Sequence, residues 1–349
     1  MAKRRLNQQQ QRRIRQIQAE RTRRSERREQ DIDRRLQAGE LGPEQPGLVI
    51  AHFGRQLDVE ALEGAQKGEL FRCHIRANID SLVTGDRVAW RADDQQGGVV
   101  VSRSDRHSVL LRPDNYGALK PVAANIDQII IVIAVEPTPH ANLIDRYLVA
   151  AETTGIPPVL LLNKSDLLED SPEHPVLDLL ARYQALGYTV EQTSAKRADQ
   201  RAQLEALVRD RTSVFVGQSG VGKSSLIQQL APDVDIRIGA LSETTRKGTH
   251  TTTTAKLFHL PCGGDLIDSP GIREFGLWHI TPEQLEWGFT DIRPLSGHCR
   301  FRNCRHQGEP GCALDEAVKD GRLMPQRRDS FQRILTDIEQ SSNVITDSQ

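Results

Sequence analysis

Aromatic side chains make up only 4% of the 349 residues, so no surface built on stacked rings is expected. Long hydrophobic runs are missing too. The longest, Ile129–Val135, is far too short to span a bilayer, and no membrane partner is expected. The arginine-rich N-terminus has no apolar stretch behind it and does not read as a secretory signal. An excess of either charge is lacking, with 46 Lys+Arg against 47 Asp+Glu for a formal net charge of -1. Five cysteines are an odd number for a disulfide framework. Three of them, Cys299, Cys304 and Cys312, fall within 14 residues with a histidine among them. That suits a metal site in a reducing compartment, so a cytoplasmic location is expected. What is present is ordinary globular material: 37% hydrophobic and 27% charged, at a length that suggests two or three domains.

The balanced charge hides a segregation. Residues 1–40 hold 13 Lys+Arg and 6 Asp+Glu, a net +7, which leaves -8 for the rest. This arm is rich in Gln and Arg, lacks the apolar mass to fold alone, and reads as disordered. A clustered basic segment of this kind suits contact with a polyanion such as RNA, on which it could become helical. The plainer alternative is a solvated tail.

From Leu41 to about Arg112 short apolar-alternating stretches are separated by glycine turns. Gly47–Phe53, Glu69–Arg76, Asp86–Arg91, Gly98–Val101 and Ser108–Leu111 read as five strands. A small barrel over 41–112 follows, either of the oligonucleotide/oligosaccharide-binding (OB) type or SH3-like. From Asn125 strands and helices alternate. Ile129–Val135, Pro158–Leu162, Tyr188–Val190 and Ser213–Val216 read as strands. Asn142–Thr153, Pro175–Leu186 and Gln203–Val208 read as helices. This is the rhythm of a mostly parallel, helix-covered sheet over 113–278. A strand pair, Thr252–Leu260 and Leu266–Ile267, follows. After Pro282 the chain turns polar, and 279–349 holds the cysteine cluster and two helical stretches, Leu314–Lys319 and Asp329–Glu339.

Gly217-Gln218-Ser219-Gly220-Val221-Gly222-Lys223-Ser224, followed by Ser225, fits G-x-x-x-x-G-K-[ST] between an apolar strand and a helical pattern. Glycines let the backbone wrap so that amide hydrogens meet phosphate oxygens, and the helix N-terminus adds its positive end. Lys223 is expected to reach the β- and γ-phosphates, and Ser224 to place its hydroxyl on Mg²⁺. Asn163-Lys164-Ser165-Asp166 ends another apolar strand and is similar to the N-K-x-D element of GTPases. A carboxylate at Asp166 can accept from guanine's ring N–H and its exocyclic amine, a donor pair that adenine lacks. Lys164 is expected to lay its stem over the base. Ser194-Ala195-Lys196, after the strand Tyr188–Val190, is similar to the S-A-K element whose backbone N–H meets the guanine carbonyl. GTP and GDP are the expected ligands.

Asp268-Ser269-Pro270-Gly271 fits D-x-x-G, with Asp268 toward Mg²⁺ and the Gly271 amide toward the γ-phosphate. Between the phosphate loop and this element, Lys247-Gly248-Thr249-His250-Thr251-Thr252-Thr253 occupies the place of the first switch loop. Thr251 or Thr252 is expected to complete the Mg²⁺ shell. The base readers precede the phosphate loop, the reverse of the usual order, so the sequence is circularly permuted. The γ-phosphate sensor then stands directly before the cysteine segment, and a pull on that segment upon hydrolysis is expected. Ile272 stands where a water-orienting glutamine is usual, so either another residue supplies that role, with His250 the nearest titratable candidate, or turnover is slow until a partner arrives.

Cys299-x4-Cys304-x-His306-x5-Cys312 supplies three thiols and an imidazole, a closed set that suits one structural Zn²⁺. Arg300, Arg302, Arg305 and His298 surround it and could meet phosphate.

Together these motifs resemble the small ribosomal subunit biogenesis GTPases of the RsgA family, over nearly the whole chain. The resemblance implies an N-terminal all-β OB-type barrel, a central α/β permuted P-loop GTPase domain and a small C-terminal zinc-binding helical domain. It implies GTP hydrolysis to GDP and phosphate, stimulated by the 30S subunit, with nucleotide state controlling attachment and release late in maturation. The 30S subunit and its 16S rRNA are the expected partners of a monomeric chain. The rival reading is an RNA-binding scaffold in which GTP is only a structural or allosteric ligand. Multiple-turnover phosphate release separates the two.

Overall fold

Five strands form between residues 44 and 103: β1 Glu44–Phe53, β2 Gln56–Ala61, β3 Leu70–Ile75, β4 Arg87–Ala92 and β5 Gly97–Arg103, with buried and open positions alternating along β2, β3 and β4. The structure is a computed structural model that describes residues 34, 38, 41–54, 56–76, 78–93, 97–114, 118–232, 255–268, 276–277 and 280–346. Nearly all of the basic arm, the switch residues His250, Thr251 and Thr252, and Gly271 and Ile272 lie outside the described residues. The chain divides into two compact units, Met1–Leu82 with Asp86–Asp105, and Val83–Gly85 with Arg106–Gln349.

In the first unit β1 pairs with β2 and β4, β2 with β3 and β4 with β5, all antiparallel. The parallel pair β3–β5 closes the ring. A five-stranded ring with that one parallel closure is the OB arrangement, which decides between the two barrels the sequence allowed. Register shifts at Val49/Ala51 and Ala89/Trp90 supply the bends that closure needs. The core centres on Trp90, fully buried, with Phe71 at 4.7 Å between ring centroids. Gly47 makes room for that ring: a Cβ there would stand 2.6 Å from Trp90 Cδ1.

The strand set differs from the sequence reading at two places. Gln56–Ala61 is a strand that the sequence reading did not assign. Leu57, Val59 and Ala61 face the core, but the element is short and follows β1 after one tight turn at Gly54. The stretch read as the barrel's fifth strand is instead β6, Val109–Pro113, paired antiparallel with β7, Leu119–Ala124, in a separate two-stranded sheet of the second unit. Alternation marks a half-buried strand without naming its partner.

The second unit holds β8 Gln128–Ala134, β9 Pro158–Asn163, β10 Thr189–Gln192, β11 Thr212–Val216, β12 Lys256–His259 and β13 Asp265–Asp268, in the order β10-β9-β8-β11-β13-β12. All neighbours are parallel except β12–β13. Every residue of β8 is buried, as the centre of a parallel sheet covered on both faces requires. Among the described residues the α-helices of this unit are α1 Ala141–Thr154, α2 Pro175–Ala185, α3 Arg201–Val208, α4 Lys223–Leu230, α5 Pro282–Gly288, α6 Ala313–Lys319 and α7 Pro325–Thr346. Leu204 and Val208 of α3 and Leu226, Ile227 and Leu230 of α4 pack into one core with Ile130, Val132, Leu161 and Phe215. A second core, of Leu285, Phe289, Ile292, Leu314, Phe331 and Ile334, gathers the C-terminal segment and takes in Val149 of α1. Among the described residues no helix is long and apolar enough to cross a membrane.

Candidate nucleotide site and metal centre

The sheet order places four motif-bearing strand ends side by side. β9 ends in Asn163 and β11 in the glycine loop. β10 is followed by Ser194, and β13 closes on Asp268. These are the carboxyl ends of parallel strands, where open α/β sheets hold ligands. β8, between β9 and β11, contributes the backbone of Glu136 just past its end.

The glycine loop is set by sterics. Gly217, Gly220 and Gly222 have φ of 139°, 84° and 92°, values that side chains rarely adopt. A Cβ on Gly217 would lie 2.2 Å from Val132 O, and one on Gly222 would lie 2.3 Å from Asn163 Nδ2. Val221 is buried and anchors the loop, while Gln218, Ser219 and Gly220 are exposed at its rim. Lys223 and Ser224 are half-buried at the start of α4 and Ser225 is exposed behind them. Lys223 Nζ donates to Gly217 O at 2.6 Å and to Gln218 O at 2.8 Å, so its ammonium lies across the loop.

Backbone strain of roughly 1–3 kcal/mol is expected when an L side chain is forced into such a conformation. Gly222→Ala is therefore expected to weaken GTP binding by about 10- to 100-fold, measured by calorimetry. Unchanged affinity would show that the loop does not need this backbone.

The residues expected to read the base are tied to one another by the protein itself. Asn163 is buried, donates from Nδ2 to Val221 O at 2.8 Å and accepts from Ala195 N at 3.3 Å. It therefore fastens the glycine loop to the Ser194–Lys196 turn. Lys164, at φ 61°, donates from Nζ to Glu136 O at 2.6 Å and to Gly220 O at 2.9 Å. Ser165 Oγ donates to Gln200 Oε1 at 3.2 Å. Asp166 accepts from Ser194 Oγ at 2.5 Å and faces Lys196 Nζ at 3.5 Å. The Ser194 hydroxyl, helped by Lys196, holds its carboxyl below the ordinary aspartate value, against a smaller opposing effect of burial. A charged acceptor thus stands at the rim, aimed by its neighbours. Two parts of this arrangement have no sequence signature: the Glu136 carbonyl, a backbone group, and the Asn163–Val221 tie, which joins residues 58 apart.

Asp268 closes β13 beside β11, the strand that runs into the glycine loop. Its relation to Thr251, Thr252 and Gly271 lies outside the described residues, as does that of His250.

The second cluster is built by the bends around residues 299–312. One ligand atom each of Cys299, Cys304, His306 and Cys312 lies within 4.8 Å of the others. His306 Nδ1 stands 3.5 Å from Cys299 Sγ, 3.8 Å from Cys304 Sγ and 3.4 Å from Cys312 Sγ. Bonds of about 2.3 Å to sulfur and about 2.0–2.1 Å to nitrogen, at the tetrahedral angle, put S and N about 3.6 Å apart. The donor set and its spacing therefore fit a tetrahedral zinc ion. Glu309 braces the loop by accepting from Arg305 N at 3.0 Å and Gln307 N at 2.7 Å.

This C-terminal segment docks on α1. Asn142 Nδ2 donates to Ser330 Oγ at 3.1 Å, and Glu152 pairs with Arg293 at 3.0 Å. Asp145 and Arg146 pair with Arg327 and Asp337. Asn142, then Asp145 and Arg146, then Val149, then Glu152 follow at steps of three and four along one face of α1.

The family model for the RsgA GTPase matches residues 103–278. The small ribosomal subunit biogenesis GTPase RsgA of Marinobacter nauticus is 65% identical over 340 residues, 97% of each chain. That of Hahella chejuensis is 57% identical over 340 residues, 97% of this chain and 98% of the other. Among solved structures, YloQ, described as a circularly permuted GTPase, is 31% identical with a TM-score of 0.66, covering 86% of this chain and 96% of the other. YjeQ from Thermotoga maritima is 29% identical with a TM-score of 0.68, covering 85% and 99%.

Proposed function

Because the chain belongs to the RsgA family of small ribosomal subunit biogenesis GTPases, enzymes that hydrolyse GTP, we propose that its nucleotide state governs attachment to and release from the 30S subunit late in maturation. The observation that carries this reading is the fastening of Asp166 by Ser194 and of Asn163 by Ala195 and Val221. These bonds support the reading because they link the Asp166 turn, the Ser194–Lys196 turn and the glycine loop to one another. In this reading Asp166 accepts from the base's ring N–H and amine, and the Ala195 region meets the carbonyl. Lys164 walls the base. Gly217 to Ser225 wrap the phosphates with backbone amides, and Lys223 leaves its loop carbonyls to meet the β- and γ-oxygens.

Ser224 and Asp268, with Thr251 or Thr252, would hold Mg²⁺. Bound there, the metal neutralises charge that develops on the phosphates. The Gly271 amide meets the γ-phosphate. Ile272 cannot hydrogen-bond a water, so we assign orientation of the attacking water to His250. If His250→Ala leaves subunit-stimulated turnover unchanged, that assignment is wrong.

One zinc ion held by Cys299, Cys304, His306 and Cys312 would pin the arginine-bearing loop of Arg300, Arg302 and Arg305, which meets phosphates of 16S rRNA together with the basic arm. We place the chain in the cytoplasm as a monomer. The test is sedimentation with 30S, 50S and 70S particles in GDP, GTP and a non-hydrolysable analogue. Pelleting with 30S in the analogue and loss of it in GDP is expected. Equal pelleting in all three nucleotides would refute nucleotide control.

A further inference from the structure

His306 is buried, and only one of its ring nitrogens can serve a metal at this cluster. Nδ1 faces the three sulfurs at 3.4–3.8 Å. Nε2 points the opposite way and meets Glu286 Oε1 at 3.2 Å. An imidazole bound to a metal through Nδ1 carries its proton on Nε2. Leaving a buried N–H without an acceptor is destabilising, so the acceptor matters. The second oxygen of Glu286 accepts from the Ser296 hydroxyl, so the carboxylate is itself held. The edge of the His306 ring stands against Phe331, with centroids 5.8 Å apart and planes at 71°. The backbone of His306 is at φ 57°, an uncommon conformation for a residue with a side chain. It is fixed from both sides, by the cysteines and by Glu286.

Glu286 lies on α5, outside the cysteine loop. Thr281 and Gln284 close a reciprocal cap at the start of that helix, at 3.2 Å and 3.0 Å. Two residues beyond Glu286, Gly288 lies so close to α1 that a Cβ there would stand 2.6 Å from Val149 Cγ1. The helix that holds the imidazole is therefore the helix that is seated on α1, which follows directly from β8 and the Glu136 carbonyl.

We propose that Glu286 is the positioning residue of the metal centre: it selects the tautomer and plane of His306 and thereby couples zinc occupancy to the seating of α5. The inference rests on the zinc reading above. Outer carboxylates of this kind typically change metal affinity by about 10- to 100-fold when removed.

The test uses the full chain with zinc as the probe and a chromophoric chelator as competitor, at fixed pH. Wild type is expected to hold one equivalent of zinc. Glu286→Ala is expected to bind it about 10- to 100-fold more weakly. Glu286→Gln, which keeps an oxygen to accept from Nε2, is expected to lie close to wild type; if the alanine variant does not fold, a spectrum of the glutamine variant still reports. With cobalt(II) in place of zinc, the visible bands of wild type and the glutamine variant are expected to coincide, and those of the alanine variant to shift as imidazole ligation loosens. Zinc is expected to slow hydrogen exchange across residues 282–288 in wild type, and to slow it less in Glu286→Ala at saturating metal. Equal zinc affinity and equal cobalt spectra in wild type and Glu286→Ala would overturn the role of Glu286 alone. Absence of zinc from wild type would overturn the metal reading itself.

Discussion

Replacing Asp166 with asparagine is expected to remove the preference for guanine, a loss of roughly 10⁴-fold in discrimination, because a pocket that pairs polar groups rejects a ligand that leaves them unpaired. The carboxylate offers two acceptors to two donors on the base. Asparagine keeps one acceptor and turns the other into an amine, which faces guanine's own amine. The replacement is isosteric and can still accept from the Ser194 hydroxyl, now at 2.5 Å from Asp166, so the turn survives. Xanthine carries a carbonyl in place of that amine and suits the asparagine. Calorimetry is therefore expected to show GTP binding fall while xanthosine triphosphate binding rises. A variant that still favours GTP would contradict the assignment of the base site.

Arg327→Ala is expected to destabilise the second unit by roughly 3–5 kcal/mol, the range seen when one partner of a buried ion pair is removed. Arg327 is 4% exposed. It donates from Nε at 3.0 Å and Nη2 at 2.7 Å to Asp291, and from Nη1 to Asp145. Asp145 is fully buried on α1 and also accepts from the Tyr183 hydroxyl at 2.7 Å. Phe289 covers the guanidinium at 4.3 Å from its ring centroid. Removal leaves two carboxylates, both largely buried, between α1 and the C-terminal segment. For a unit of this size the melting temperature should fall by about 10 °C.

Burial already raises the Asp145 carboxyl above its ordinary value, opposed by Arg327. Without the arginine the folded-state value rises further. A raised carboxylate penalises the fold above its folded-state pKa and is relieved as pH falls through it. The deficit of Arg327→Ala should accordingly be largest near neutral pH and shrink in acid. Replacing Arg327, Asp145 and Asp291 together by Met, Leu and Leu is expected to recover most of the loss. A single variant as stable as wild type would show that this triad does not hold the C-terminal segment on α1.

Much of the candidate nucleotide site was legible because each of its elements is local. Gly217–Ser224 is contiguous, sits between a strand and a helix, and needs φ values that select glycine. Asn163–Asp166 and Ser194–Lys196 each end a strand whose apolar run is visible. The alternation of strands and helices marked the α/β domain, and the order of the motifs, Asn163–Asp166 and Ser194–Lys196 ahead of Gly217, marked its permutation. The cross-links between these elements were not legible. Lys164 to Glu136 and Gly220, and Asn163 to Val221, depend on which strands are neighbours, and sequence order conceals that in a permuted sheet. The same lack of partner information put Ser108–Leu111 in the barrel, whereas β6 pairs with β7. Helix α5 did carry a local sign, Thr281-Pro282-Glu283-Gln284, which fits a capping box with proline at the first helical position. Its seven residues are too few to show an amphipathic period. Glu286 was therefore invisible as the partner of a histidine 20 positions away. The Arg327 triad joins residues 182 apart, a distance no pattern spans.

Multiple-turnover release of inorganic phosphate from GTP, with and without purified 30S subunits, tests the central claim most directly. Slow release by the chain alone, a strong rise with 30S and no comparable rise with 50S are expected. Phosphate release that stays at the basal rate when saturating 30S subunits are added would contradict the account, and would favour an RNA-bound scaffold for which GTP is only a ligand.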